Sequence, residues 1–142
     1  MAIWFGNYKP EELNHIVADT LISHVGIEFL EIGEDFLKAR MPVDRRTCQP
    51  MGILHGGASV VLAETLGSAA SNLVLDRNEY YAVGLEINAN HVRPASAGSV
   101  TGIARPLHIG KTTQVWEMKI LDDEENLVCV SRMTNAVLKK ES

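Results

Sequence analysis

The sequence predicts an α+β fold, an antiparallel β-sheet wrapped around one long central helix. Two observations carry that expectation. From about Gly56 to Leu75 the chain is apolar or small nearly all round, with Glu64 as its one acid before Asp76, and a helix without a clear polar face is buried on all sides. Around it lie six segments rich in β-branched and aromatic residues, two before and four after. Long strands following one central helix point to antiparallel pairing rather than to a doubly wound parallel sheet.

In chain order, Pro10 to Asp19 reads as a short amphipathic helix. Pro10 suits its first turn, Glu11 and Glu12 sit near its positive dipole end, and Leu13, Ile16 and Val17 form an apolar edge. Gly26 to Ile32 and Phe36 to Val43 alternate in the manner of strands on either side of the turn-forming Gly33-Glu34-Asp35, so they predict a hairpin. Arg45 to Met51 is an irregular loop closed by Pro50. After the central helix, Tyr81 to Arg93, Gly98 to His108, Thr112 to Asp122 and Leu127 to Leu138 supply four more strands separated by turn residues. No repeat or linker interrupts them, so residues 1–142 form a single expected domain.

At 142 residues such a domain can bury roughly 68–70% of its unfolded surface. With 46% hydrophobic and 22% charged residues, and no apolar run near the span length, a membrane helix is not expected. The start Met1-Ala2-Ile3-Trp4-Phe5 shows no export pattern, which makes the cytoplasm the expected compartment. A net charge of −5 without a basic block argues against a nucleic-acid surface. Cys48 and Cys129 form no CxxC pair or disulfide framework, and the five histidines, His15, His24, His55, His91 and His108, lack metal-ligand spacing. No phosphate loop and no GxSxG elbow is present.

The chemistry centres on Glu64. Desolvation disfavours an ionised carboxylate, so a buried glutamate needs a partner or a task. Nine residues earlier stands His55-Gly56-Gly57, where the helix begins. The first N–H groups of a helix have no intrahelical acceptor and carry the positive end of its dipole, so they can hold a developing oxyanion. Helical spacing gathers Val60, Glu64, Ser68 and Ser71 on one face, so Glu64 and Ser68 are expected to look out together. Carboxylate and oxyanion donors on one element suggest acyl transfer, against the plainer reading of a carboxylate satisfied by a cap or core hydrogen bond. His55 could donate to a ligand, orient the loop or cap its own helix, and the two glycines could serve close packing alone. At the end of the first strand after the helix, Asn90-His91-Val92-Arg93-Pro94 offers a planar cation suited to phosphate, and Lys111 at a later turn offers a second. Solvated surface charge is the alternative for both.

Taken together, Gln49-Pro50-x-Gly52-x-x-His55-Gly56-Gly57, then Glu64 and Ser68, then His91-x-Arg93-Pro94, resemble the hotdog-fold acyl-CoA thioesterases over the full length. The chain is most similar to the small bacterial branch that includes the 1,4-dihydroxy-2-naphthoyl-CoA hydrolase of menaquinone synthesis and the enterobactin-pathway proofreading thioesterase. Met41-Pro42-Val43-Asp44 and Leu62 through Ser68 strengthen the match. The resemblance implies dimers whose sheets join edge to edge, usually paired into tetramers, with sites between subunits. It implies Glu64 as nucleophile or general base and the Gly56 N–H as polariser of the thioester carbonyl. Gln49 and His55 would position the thioester, and Ser68 would hold the hydrolytic water. Gly84, His91, Arg93, His108, Gly110, Lys111 and Thr112 would line the coenzyme A and acyl region. No cofactor is implied, since coenzyme A is part of the substrate, and the acyl group would be aromatic or of medium length. Two other readings stand beside this one: a dehydratase of 3-hydroxyacyl thioesters, and a non-catalytic acyl-CoA sensing domain.

Overall fold

The structure, a computed structural model, describes residues 1–141. In chain order its elements are α1 (Pro10–Ile16), α2 (Leu21–His24), β1 (Glu28–Ile32), β2 (Leu37–Pro42), α3 (Gly56–Leu73), β3 (Tyr80–His91), β4 (Ser99–Ile109), β5 (Thr113–Leu121) and β6 (Leu127–Lys139). The six strands form one sheet in the order β1-β2-β4-β5-β6-β3, every neighbouring pair antiparallel. The expected sheet around one central helix is thus present.

α3 packs on the sheet through Ser59, Leu62, Ala63, Leu66, Gly67, Ala70, Ser71 and Leu73, all buried. Their spacing of three and four residues draws a continuous stripe along one face. Opposite that stripe, period-two alternation turns Val100, Gly102 and Ala104 of β4, and Trp116, Met118 and Ile120 of β5, into the same core. The contact is close: a β-carbon at Gly102 would lie 2.5 Å from Leu66 Cδ1, so glycine there sets the helix-to-sheet distance. Within the core Ser71 Oγ donates to Gln114 Oε1, and Trp116 Nε1 donates to the same oxygen at 2.9 Å.

Three expectations need correction. The first helix ends at Ile16 rather than Asp19, because Asp19 takes a positive φ of 60° and Thr20 caps a separate short helix, α2. Ser71 does not share an outward face with Glu64; it is fully buried, whereas Glu64 is exposed. Nor is α3 covered all round in one chain. The sheet covers one side, and the short helices α1 and α2 lean over part of the other.

Two asparagines fasten the sheet edges to the helices by imitating a strand partner. Asn14 accepts from Phe29 N at 2.8 Å and donates to Phe29 O at 3.0 Å, holding α1 on β1. Asn72 does the same for Ala82 of β3, at 2.9 and 3.3 Å. Beyond Ala82, β3 runs on as an edge strand with Val83 and Leu85 exposed. No described helix is long and apolar enough to cross a membrane.

Candidate active site

The loop from Asp44 to Leu54 sets the start of α3. Asp44 accepts from the backbone and the guanidinium of Arg46, and these hydrogen bonds hold its carboxyl below the usual carboxylate range. Its carbonyl accepts from Thr47 N and Cys48 N at 3.0 and 2.9 Å. Gln49 then closes a turn in which Gly52 takes a φ of 80°, a left-handed conformation that glycine adopts without strain. The Gln49 side-chain oxygen accepts from Met51 N, so its NH2 end has no protein acceptor among the described residues.

His55 is the N-cap of α3. Its backbone is extended, and its Nδ1 accepts from Gly57 N at 2.8 Å. Of the three readings open to this histidine, the structure shows the cap. The Gly57 amide is therefore engaged, while the Gly56 N–H, first in the helix, has no acceptor among the described residues. His91 lies directly over it: a β-carbon at Gly56 would sit 2.8 Å from His91 Nε2. Gln49, Gly56, Ser59, His91 and Arg93 line one cleft of about 480 Å³. Four of these five were expected from sequence, and Ser59 is the addition.

Glu64 stands elsewhere. It has no hydrogen bond or ion pair among the described residues, and it borders two other spaces. One is a small cleft of about 140 Å³ with Gly84, Leu85, Glu86, Ile87 and Met133, where β3 bulges between Gly84 and Glu86. The other is an apolar groove of about 670 Å³ between α3 and α1–α2. Ser68, Thr65, Val61, Ala69, Phe29 and Arg77 are among its lining residues. Sequence reasoning missed Val61, Thr65 and Ala69, although their mutual steps of four place them on one helical stripe beside Glu64 and Ser68.

Within one chain, Glu64 and Gly56 cannot act on the same carbonyl. Eight residues separate them along α3, a rise of ~12 Å, and helical N–H groups point off the N-terminal end, away from Glu64. Carboxylate and amide donor do lie on one helix, at a spacing that a single carbonyl does not bridge. The remaining residues are divided too. His108 near the end of β4 and Gly110, Lys111 and Thr112 of the β4–β5 turn lie about level with Ala136 of β6, whereas His91 is level with Cys129. Seven strand residues put these levels roughly 23 Å apart. The candidate residues therefore fall into two groups: Gln49, His55, Gly56, His91 and Arg93 at one end, and Glu64, Ser68 and Gly84 nearer the other.

A sequence model of the thioesterase superfamily matches residues 51–129. The chain is 50% identical over 136 residues to the 1,4-dihydroxy-2-naphthoyl-CoA hydrolase of Escherichia coli, covering 96% of this chain and 99% of that protein. It is 48% identical over 136 residues to the proofreading thioesterase EntH of Cronobacter turicensis, covering 96% and 98%. Among solved structures, a thioesterase of Haemophilus influenzae superposes with a TM-score of 0.94 at 47% identity, covering 96% of this chain and 95% of that one. The motif, the sheet wrapped on α3 and these likenesses agree: the chain belongs to the hotdog-fold thioesterase superfamily.

Proposed function

We propose that this thioester hydrolase cleaves acyl-CoA between two copies of the chain, with Glu64 of one facing the Gly56 amide of the other. The observation that carries the reading is the division of the site. A free helix-terminal N–H and an unpaired carboxylate, each suited to a thioester, lie too far apart in one chain to meet on it. An antiparallel, two-fold pairing of β3 edges supplies the missing partner. It sets the Gly84 end of one strand beside the His91 end of the other, so each Glu64 faces a foreign Gln49, Gly56 and His91. The exposed edge from Gly84 to His91 is available for such pairing. A dimer of dimers is the assembly we propose.

The chemistry follows from the groups present. The Gly56 N–H and the NH2 of Gln49 would hold the thioester oxygen as it gains charge, and such donors are worth about 2.7–4 kcal/mol each in comparable sites. Glu64 would activate water or attack the carbonyl carbon itself. The thiolate of coenzyme A is a good leaving group, so no strong general acid is required. The acyl group would lie in the apolar groove beside Glu64, and Arg93 would meet phosphate of the nucleotide. Lys111 and the β4–β5 turn would reach the nucleotide from whichever copy presents them. The relative named 1,4-dihydroxy-2-naphthoyl-CoA hydrolase favours an aromatic acyl group for this chain as well.

The test is release of free coenzyme A from aromatic and linear acyl-CoA by the wild type and by Glu64→Gln. Turnover by the wild type and its loss in a folded Glu64→Gln protein support the reading. Bound but uncleaved thioester would favour the sensing role instead.

A further inference from the structure

Asn135 of β6 is fully buried, and its Oδ1 is the one buried side-chain N or O atom among the described residues without a hydrogen-bond partner. The amide cannot be turned round to relieve this. Its Nδ2 donates to Ser71 Oγ at 3.0 Å and to Gly67 O at 3.4 Å. Reversal would aim oxygen at the Gly67 carbonyl and at a hydroxyl already donating to Gln114. A buried acceptor left unpaired is destabilising and calls for a donor that the resting chain lacks.

The position of Oδ1 shows where such a donor would come from. A β-carbon on Gly84 would lie 3.7 Å from Asn135 Oδ1 and 3.3 Å from Glu64 Oε2. Both oxygens thus border the space that glycine leaves open at the bulge in β3. An ionised Glu64 is acceptor-only and has nothing to give Asn135; a protonated Glu64 carries an O–H.

We propose that Asn135 is a positioning residue that accepts a hydrogen bond from Glu64 after Glu64 has taken a proton from the attacking water. The inference rests on Glu64 acting at the thioester, and it selects the general-base route. Water loses a proton to the Glu64 carboxylate while its oxygen bonds to the carbonyl carbon, and the C=O pair moves to oxygen beside the Gly56 amide. The Glu64 O–H then donates to Asn135 Oδ1. When the C–S bond breaks, that proton passes to the departing thiolate, giving acid and thiol. The nucleophilic route gives Glu64 no proton in its first step and leaves Asn135 unpaired there. The interaction is stronger in the transition state than in the ground state, so it is expressed in kcat rather than KM.

The test places Asn135→Leu and Asn135→Ser in the wild-type and Glu64→Gln backgrounds and measures acyl-CoA hydrolysis. Asn135→Ser is the gentler of the two, since it keeps a polar group beside Ser71 while withdrawing the acceptor from the space next to Glu64. Each variant is expected to lower kcat about tenfold with KM unchanged in the wild-type background, and to leave the residual rate of Glu64→Gln untouched. A second readout is thermal. The side-chain NH2 introduced by Glu64→Gln supplies the donor permanently, so that substitution should raise Tm when Asn135 is present and not in Asn135→Leu. Equal losses in both backgrounds, or a change confined to KM, would overturn the proposal. Should Asn135→Leu fail to fold, Asn135→Ser decides it. Near-normal hydrolysis by Glu64→Gln would instead remove the catalytic reading itself, and this inference with it.

Discussion

The imidazole of His91 rests on Gly56 so closely that a β-carbon there would come within 2.8 Å of Nε2. Since the Gly56 N–H is the free amide at the head of α3, any side chain at 56 must push His91 away or displace the amide. Gly56→Ala is therefore expected to lower kcat by about 10²–10³. Circular dichroism should show an intact fold, because alanine is a good helix former. Steady-state kinetics decide: kcat within twofold of wild type would remove this amide from the reaction.

His55 contributes to stability as well as to the site, because its Nδ1 caps the Gly57 amide. His55→Ala should cost about 1 kcal/mol of stability, the usual worth of a side-chain cap. His55→Asn, which can cap in the same way, should restore most of it. Denaturant unfolding of the three proteins measures this, and equal midpoints for His55→Ala and wild type would show that the cap carries no weight.

These two glycines and their neighbours show how far the sequence alone reaches. The long apolar and small-residue run from Gly56 and the four strand segments after it were legible because residue type and alternation are written locally. The expected strand ends fall within two residues of those observed. The N-cap role of His55 was legible only as one of three options, since a histidine ring can donate or accept. What depends on distance across the fold was not legible. Ser71 and Glu64 are seven residues apart and share nearly one bearing on the helix, yet Gln114 and Asn135 cover Ser71 whereas Glu64 stays open at the bulge of β3. The β-bulge at Gly84, which brings β3 under Glu64, leaves no local mark beyond a glycine in a strand. The separation of the two groups follows from helix rise and strand level, which a motif compresses into a line.

The apolar groove beside Glu64 should reward acyl length. Each methylene buried there is worth ~0.8 kcal/mol, so kcat/KM for linear acyl-CoA should rise about fourfold per carbon until the groove is filled. Ala69→Met narrows the groove from its α3 wall. It should depress long acyl substrates far more than acetyl-CoA. A uniform loss across the series would place the acyl group elsewhere.

The site loop should loosen in acid. The Arg46 hydrogen bonds keep the folded Asp44 carboxyl below its ordinary value of 3.8. A carboxyl depressed on folding stabilises the fold above its unfolded value, and that contribution is lost as pH falls through the folded one. The loop should thus be fully held at neutral pH and released progressively from about pH 5 downward. Exchange of the Arg46 amide, which donates to Asp44 Oδ1 at 2.9 Å, reports it. In Asp44→Asn the pH dependence of that protection should vanish; if it persists, another group holds the loop.

The division of labour between copies of the chain is tested most directly by mixing two inactive proteins, Glu64→Gln and Gly56→Ala, after joint unfolding and refolding. In each mixed dimer one site inherits both defects and the other inherits neither, so the mixture should recover about one quarter of wild-type turnover. A mixture no more active than its parents would contradict a site shared by Glu64 of one copy and Gly56 of the other.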